Sequence, residues 1–381
     1  MIDKTCLQDV MLRFGDKYNE MEKVLRTWEA GEPASRDLLR LKTMPGRLFI
    51  EPTNRCNRNC EYCAHSSMER DYSMLSLEDF RRAIRDLPAG TYITMTGNGE
   101  PLLNSNIYTM IAEARAKGLL VGLICNGTVL TEKNARKLIE AGPNRVQISF
   151  DSIDKAVFNQ SYGNPKGACR FESVVCKVLN FIRLERTEYK KGIFITIAMV
   201  MTENVKSKAE ETRAFWEKMP LDNLYEGPLL SLQTYAGTSE ENSTLKEDWK
   251  ICANPWTSMK INADGTVNAC IQDFSNRYII GSVREQSLTE MMNSENALAL
   301  REALYNNDSE FCSKIGYNCQ QCNAWTSEAK HDLCGYMQNS FPMTYGLMVA
   351  EACAVGDREP EKIKHLEMTL AKLKEEYGVT L

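Results

Sequence analysis

The chain offers little to a membrane, a nucleic acid or a histidine-based catalyst. No apolar run approaches the roughly 20 residues that cross a bilayer. Its 46 Lys and Arg are outnumbered by 51 Asp and Glu, for a formal net charge of −5. That balance excludes the global basic field with which proteins gather nucleic acid. Histidine occurs only at His65, His331 and His365, so any proton transfer at a substrate falls to Asp, Glu, Arg, Lys, Tyr or Cys. The opening MIDKTCLQDVMLRFGDKYNEMEK is charged and amphipathic, without the apolar centre of a signal peptide. There is no low-complexity tract and no repeat beyond a strand–helix unit. These absences predict a cytoplasmic globular protein with no membrane and no nucleic-acid partner.

Cysteine is what the chain has in excess, 14 in 381 residues. In a reducing compartment, clustered cysteines signal metal or catalysis rather than disulfides. Cys56, Cys60, Cys63, Cys252, Cys270, Cys319 and Cys322 stand in tight, metal-like spacings. Cys6, Cys125, Cys169, Cys176, Cys312, Cys334 and Cys353 do not, and read first as small buried apolar side chains.

Residues 1–45 read as a charged helical extension. After the turn at Met44-Pro45-Gly46, β-rich runs (RLFIEPT, TYITMTG, LLVGLICNG, NRVQISFD, GIFITIAMV, LLSLQTY) alternate with helical stretches such as SLEDFRRAIRDL and FESVVCKVLNFIRLE. Strand and helix in alternation predict a parallel sheet with helices outside, either an open doubly wound sheet or a partial barrel. Ser76 with Asp79, Thr131 with Asn134, and Ser105 mark helix starts; Gly118 and Gly142 mark ends. In both architectures ligands collect at the carboxyl ends of the strands. The unusual residues lie there: Cys56 after the first strand, Gly97 to Pro101 after the second, Asn126-Gly127 after the third, Ser149 and Asp151 after the fourth. The alternation stops near Gly237. The polar stretch GTSEENSTLKED separates it from a cysteine-bearing module at about 250–335, and a charged amphipathic helical tail fills 336–381.

In EPTNRCNRNCEYCAHSS the thiols are separated by three and then two residues. Three thiolates can ligate three irons of a cubane whose closed form takes four Cys. The iron left without a protein ligand is open, as catalytic metal sites leave a position for substrate. A zinc site is the competing reading, with His65 as fourth ligand; only two residues beyond Cys63, it would strain the loop. In the second module Cys252 and Cys270 flank an expected hairpin with Asp264-Gly265 at its turn, and NCQQC supplies Cys319 and Cys322. Four thiolates suit either one iron–sulfur cluster or a structural zinc site.

Cys-x3-Cys-x2-Cys after the first strand, with aromatic Tyr62 before the last Cys, resembles the signature of the radical S-adenosylmethionine (SAM) superfamily. The resemblance covers about residues 46–235 and implies a partial (β/α)6 TIM-like barrel. Cys56, Cys60 and Cys63 would hold a 4Fe–4S cluster whose open iron chelates SAM, and one-electron cleavage would give a 5′-deoxyadenosyl radical. Tyr62 would pack near the adenine. TGNGEPLL resembles the family's Gly-Gly-Glu region, which places Gly97, Gly99 and Glu100 at the SAM amino group. LICNGTVLT, with Asn126, resembles its Thr-Asn-Gly turn, with Cys125 where Thr is common. VQISFDS resembles its Ser-x-Asp strand end, with Ser149 and Asp151 toward the ribose. The second module resembles the SPASM and twitch auxiliary-cluster domains. Glu328 stands where the full SPASM pattern has a further Cys, which favours a single-cluster, twitch-like domain on Cys252, Cys270, Cys319 and Cys322.

The family resemblance thus implies two 4Fe–4S clusters, SAM, and an external electron donor such as flavodoxin or ferredoxin. The single-cluster branch points to hydrogen abstraction from a small polar substrate (sugar, aminoglycoside or cyclitol), ending in oxidation or epimerisation. A maturase for a ribosomal peptide or protein side chain is the alternative. Epimerisation needs a thiol hydrogen donor, for which Cys312, Cys334 and Cys125 are the candidates.

Overall fold

The computed structural model describes residues 16, 19–45, 47–163, 166–228, 251–252, 254–317, 319 and 360–380. Six parallel strands run in chain order across one sheet: β1 Arg47–Ile50, β2 Tyr92–Met95, β3 Leu120–Cys125, β4 Arg145–Ser149, β5 Phe194–Met201 and β6 Asn223–Pro228. Between them lie α1 Leu77–Ile84, α2 Ile107–Ala116, α3 Glu132–Ala141, α4 Lys155–Ser161, α5 Phe171–Arg183 and α6 Ala209–Trp216. One face of the sheet is apolar, with Leu48, Ile93, Val121, Val146 and Ile195 all buried, whereas β4 turns the half-buried Arg145, Gln147 and Ser149 to the other face. The sheet is open rather than closed, in keeping with a partial barrel.

Local signals place the helices well. The Ser76 and Thr131 hydroxyls accept from the amides of Asp79 and Asn134, and Gly142 ends α3 in the left-handed region at φ +73°. Ser105 is a correction: the N-cap position of α2 is Asn106, one residue later, and its side chain makes no capping hydrogen bond. The sixth strand of the sheet is one the sequence did not mark. It is NLYEGP, just upstream of the expected LLSLQTY, which lies outside the described residues. An edge strand tolerates Gly and Pro, which a central strand does not, so β6 carries turn-like residues.

The second module is not a separate body. Its hairpin, β7 Ser258–Ile261 and β8 Thr266–Asn268, closes at Asp264-Gly265 as expected and continues antiparallel into β9 Ile279–Ser282. β7 also pairs parallel with β1, from Arg47↔Ser258 to Ile50↔Ile261, so the sheet runs β6-β5-β4-β3-β2-β1-β7-β8-β9. The N-terminal extension, helical over 19–29, docks on this module: Arg301 of α7 (Glu295–Tyr305) donates to the Leu39 carbonyl, and the Tyr305 hydroxyl to that of Glu32. A short helix, α8 (Ser309–Lys314), follows. The tail forms α9, Pro360–Tyr377, which buries Leu366 and Leu370 and packs on α5. No helix among the described residues is long and apolar enough to cross a membrane.

Candidate functional site

The loop after β1 is held from three sides. On its near side, Thr53 Oγ1 donates to the Ser73 carbonyl, and Asn54 bonds the backbone of Asp71 and Ser73. On the β2 side, the Glu100 amide donates to the Arg55 carbonyl at 2.8 Å. The Gly-rich turn fits against this loop: a Cβ at Gly99 would strike the Thr53 and Arg55 carbonyl oxygens, and one at Gly97 would reach the Glu51 side chain. The sequence reading assigned these glycines to close approach of SAM. Here their smallness first serves the approach of two backbone segments. From the third side α4 supports the loop, where the Glu61 amide donates to the Ser161 carbonyl at 3.2 Å.

This framing brings the expected residues together. Cys56, Cys60 and Cys63 are half-buried. Asn126 reaches from the end of β3, its amide 3.0 Å from Asn57 Oδ1 and 3.9 Å from the Cys56 sulfur. The Tyr62 hydroxyl donates to Asp151 Oδ2 at 2.6 Å, while Asp151 Oδ1 accepts from the Val200 amide at 2.9 Å. Ser149 ends β4 beside Ala198 of β5. Glu100 is buried and fully engaged, accepting from the Leu102 amide at 3.0 Å and the Asn126 amide at 2.6 Å. Its carboxylate therefore ties the β2 turn to the β3 end.

Burial pushes all three loop thiols upward. At Cys56 and Cys60 neighbouring negative groups add to it, and Arg58 partly offsets them. Thiolates here need a cation to compensate them, which iron provides. Among the described residues no three of His, Cys, Asp and Glu stand close enough to share a single ion. A cubane gives each thiolate its own iron and requires no common centre. The donor set, the half-buried thiols and the buried, unpartnered Arg58 guanidinium of the same loop fit an anionic cluster.

Burial also raises Glu100, against the pull of the Asn126 and Leu102 amides and Arg58, to about 7 from 4.5. Its contribution to stability in the metal-free protein is thus full below 4.5, declines as pH rises, and is lost above about 7. Glu100→Gln should flatten that part of the melting-temperature profile between about pH 5 and 8; an unchanged slope would exclude Glu100 as its source.

In the second module Cys252, Cys270 and Cys319 are half-buried and lie near one another, and Cys312 joins them. The neighbouring Cys312 and burial, with the nearby Cys270 and Cys252, push the Cys319 thiol up. Cys312, 3% exposed on α8, is thus a neighbour of Cys319. Cys125, also 3% exposed, is a core residue beneath the rim, near Glu100 and Tyr108. Cys322 and Cys334 lie outside the described residues.

Sequence reasoning missed a buried ion cluster that ties the two cysteine regions together. Glu51 follows β1 and is fully buried; it pairs with Arg70 at 2.5 Å and with Lys260 of β7 at 3.9 Å. It also accepts from the amides of Asn98 and Ala263. Arg70 Nε and the Asn98 side chain both donate to the Phe274 carbonyl, in the loop after Cys270.

Comparison with known proteins agrees with this geometry. The radical SAM superfamily pattern matches residues 50–207, and that of the SPASM iron–sulfur cluster-binding domain matches 252–323. A tungsten-containing aldehyde ferredoxin oxidoreductase cofactor-modifying protein of Pyrococcus furiosus is 26% identical over 65% of this chain and 81% of its own length. A GTP 3′,8-cyclase of Parasynechococcus marenigrum is 35% identical over 41% of this chain, and an AdoMet-dependent heme synthase of Oleidesulfovibrio alaskensis 30% identical over 45%. The chain spans 47% of that cyclase and 41% of that synthase. Among solved structures, native anSMEcpe with bound AdoMet shares the fold at a TM-score of 0.53 and 15% identity, over 81% of this chain and 99% of that one.

Proposed function

Because this chain belongs to the radical SAM superfamily and carries a SPASM iron–sulfur cluster-binding domain behind its parallel sheet, we propose that it abstracts a hydrogen atom from a carbon bearing oxygen or nitrogen on a small polar substrate. Its cofactors are SAM and 4Fe–4S clusters. When bound, they supply a one-electron cleavage of SAM to the 5′-deoxyadenosyl radical, the electron coming from an external donor of flavodoxin or ferredoxin type. The observation that carries the reading is the three-thiol loop, gripped by the β2 turn and α4, which leaves one iron of a cubane without a protein ligand.

The chain's own residues then have defined tasks. Cys56, Cys60 and Cys63 hold the first cluster. Tyr62, fixed in place by Asp151, walls the adenine side. The backbone from Gly97 to Gly99 meets the methionine end of SAM, with Glu100 acting through the loop it ties. Asn126 and Ser149 face the ribose. Cys252, Cys270, Cys319 and Cys322 close a single auxiliary cluster that has no open iron and serves as an electron acceptor or a structural centre.

A sugar, aminoglycoside or cyclitol is the substrate class proposed here. The curated relatives support small molecules in general, since their names specify a nucleotide cyclase, a heme synthase and a cofactor-modifying protein. The test is anaerobic incubation with SAM, reductant and candidate substrates, reading the rise in 5′-deoxyadenosine. In deuterated water, epimerisation places one deuterium on the product carbon, whereas oxidation gives a product about two mass units lighter, the two hydrogens lost in removing one hydride equivalent and one proton. A modified peptide as the only product would overturn the substrate class.

Iron and sulfide analysis should give about eight of each per chain, four per cluster. Cys319→Ala should leave about half. Cys322→Ala should do the same and Cys312→Ala should not; the reverse result would put Cys312 in the ligand set.

A further inference from the structure

Arg58 lies between Cys56 and Cys60 in the loop, 6% exposed, and its Nε, Nη1 and Nη2 have no hydrogen-bond partner among the described residues. The guanidinium stacks on Tyr162 at 3.9 Å, with Phe158 at 5.1 Å, both on or next to α4. Ring stacking satisfies the face of a guanidinium, not its edge, where the N–H groups point. The buried carboxylates whose ionisation Arg58 favours are Glu100 and Asp151. Both are already taken: Glu100 by two backbone amides, Asp151 by the Tyr62 hydroxyl and the Val200 amide. A buried cation with its edge unmet is costly unless an anion completes it.

We propose that Arg58 is the charge-balancing hydrogen-bond donor of the cluster on Cys56, Cys60 and Cys63, and that it raises that cluster's reduction potential. This rests on the assignment of those cysteines made above. In a cubane with three Cys ligands the thiolates outweigh the positive charge of the core, so the assembly is an anion, and a stronger one once reduced. A fixed cation two residues from each of two ligands stabilises the reduced form more than the oxidised. The SAM carboxylate is the other anion of this site. The loop position favours the cluster, because Arg58 is anchored on the segment that carries the ligands and is held against α4 by its stacked rings.

The experiment is a reductive titration of the reconstituted full-length protein without SAM, followed by electron paramagnetic resonance. Dithionite supplies the single electron, and no bond or proton changes. The first cluster is recognised as the signal that SAM alters when added afterwards. In Arg58→Met the reduced-to-oxidised ratio of that cluster at a fixed potential should fall at least tenfold, about 59 mV for a one-electron couple. Arg58→Lys, which keeps the charge, should recover most of it, and Phe158→Leu, which removes packing only, should titrate like the wild type. Should Arg58→Met fail to hold the cluster, neutral Arg58→Gln gives the same reading. A wild-type titration in the neutral variant overturns the proposal, and so does a shift as large in Phe158→Leu. An unchanged potential with weakened SAM binding also overturns it, and gives Arg58 to the SAM carboxylate. A wild-type protein with no SAM-responsive signal would instead overturn the cluster assignment itself.

Discussion

Replacing Cys56, Cys60 and Cys63 together by Ala should abolish 5′-deoxyadenosine formation while leaving about four irons and four sulfides per chain on the second cysteine group. The two halves of that expectation test different things. Loss of SAM cleavage alone could come from a collapsed protein, but retention of the auxiliary iron shows that the fold survived. Survival is expected because the loop is framed by backbone bonds that do not use the thiols, such as Glu100 N–H to the Arg55 carbonyl and Glu61 N–H to the Ser161 carbonyl. Undiminished SAM cleavage by the triple variant would remove the loop from the chemistry altogether.

Glu51→Ala should be the most destabilising of these single changes, by about 3–5 kcal/mol, because it leaves Arg70 and Lys260 buried without their carboxylate. The pH dependence follows in sign. Burial opposes ionisation of Glu51, but Lys260 and Arg70 together outweigh it and hold the carboxyl below its ordinary 4.5. Its stabilising contribution is therefore present above 4.5 and disappears as pH falls through the lower, folded value. Urea unfolding at neutral pH and well below pH 4.5 checks both. A loss under about 1 kcal/mol at neutral pH would mean that water or relaxation compensates the two cations. Wild type and variant should converge on acidification.

What the sequence made legible was local. Caps at Ser76 and Thr131, the Asp264-Gly265 turn and the spacing of the first three cysteines are each written within a few residues, where one side chain answers one backbone group. The unread parts are long-range. No short pattern announces that Ser258–Ile261 will lie parallel to Arg47–Ile50, because a parallel pair is joined by no turn and neither strand's residues name its partner. Glu51, Arg70 and Lys260 are ordinary charges until the fold collects them. β6 misleads because an edge position relaxes the residue preferences by which strands are recognised. At the site itself the cysteines and Tyr62 were legible from spacing and resemblance. The engagement of Glu100 by amides and the stacking of Arg58 were not, since each depends on which backbone arrives alongside.

The pairing of β1 with β7 bears on how the protein could be cut. The strand that begins the catalytic sheet would ordinarily be an edge, with one row of amides and carbonyls facing water. Here that row is consumed by a segment from the far side of the chain. A fragment ending near residue 237 would expose the row beside an apolar strand and strip Lys260 from Glu51. Such a fragment should recruit a strand from another copy and precipitate, so grafting a foreign auxiliary domain at that junction would succeed only if the graft brought its own β7.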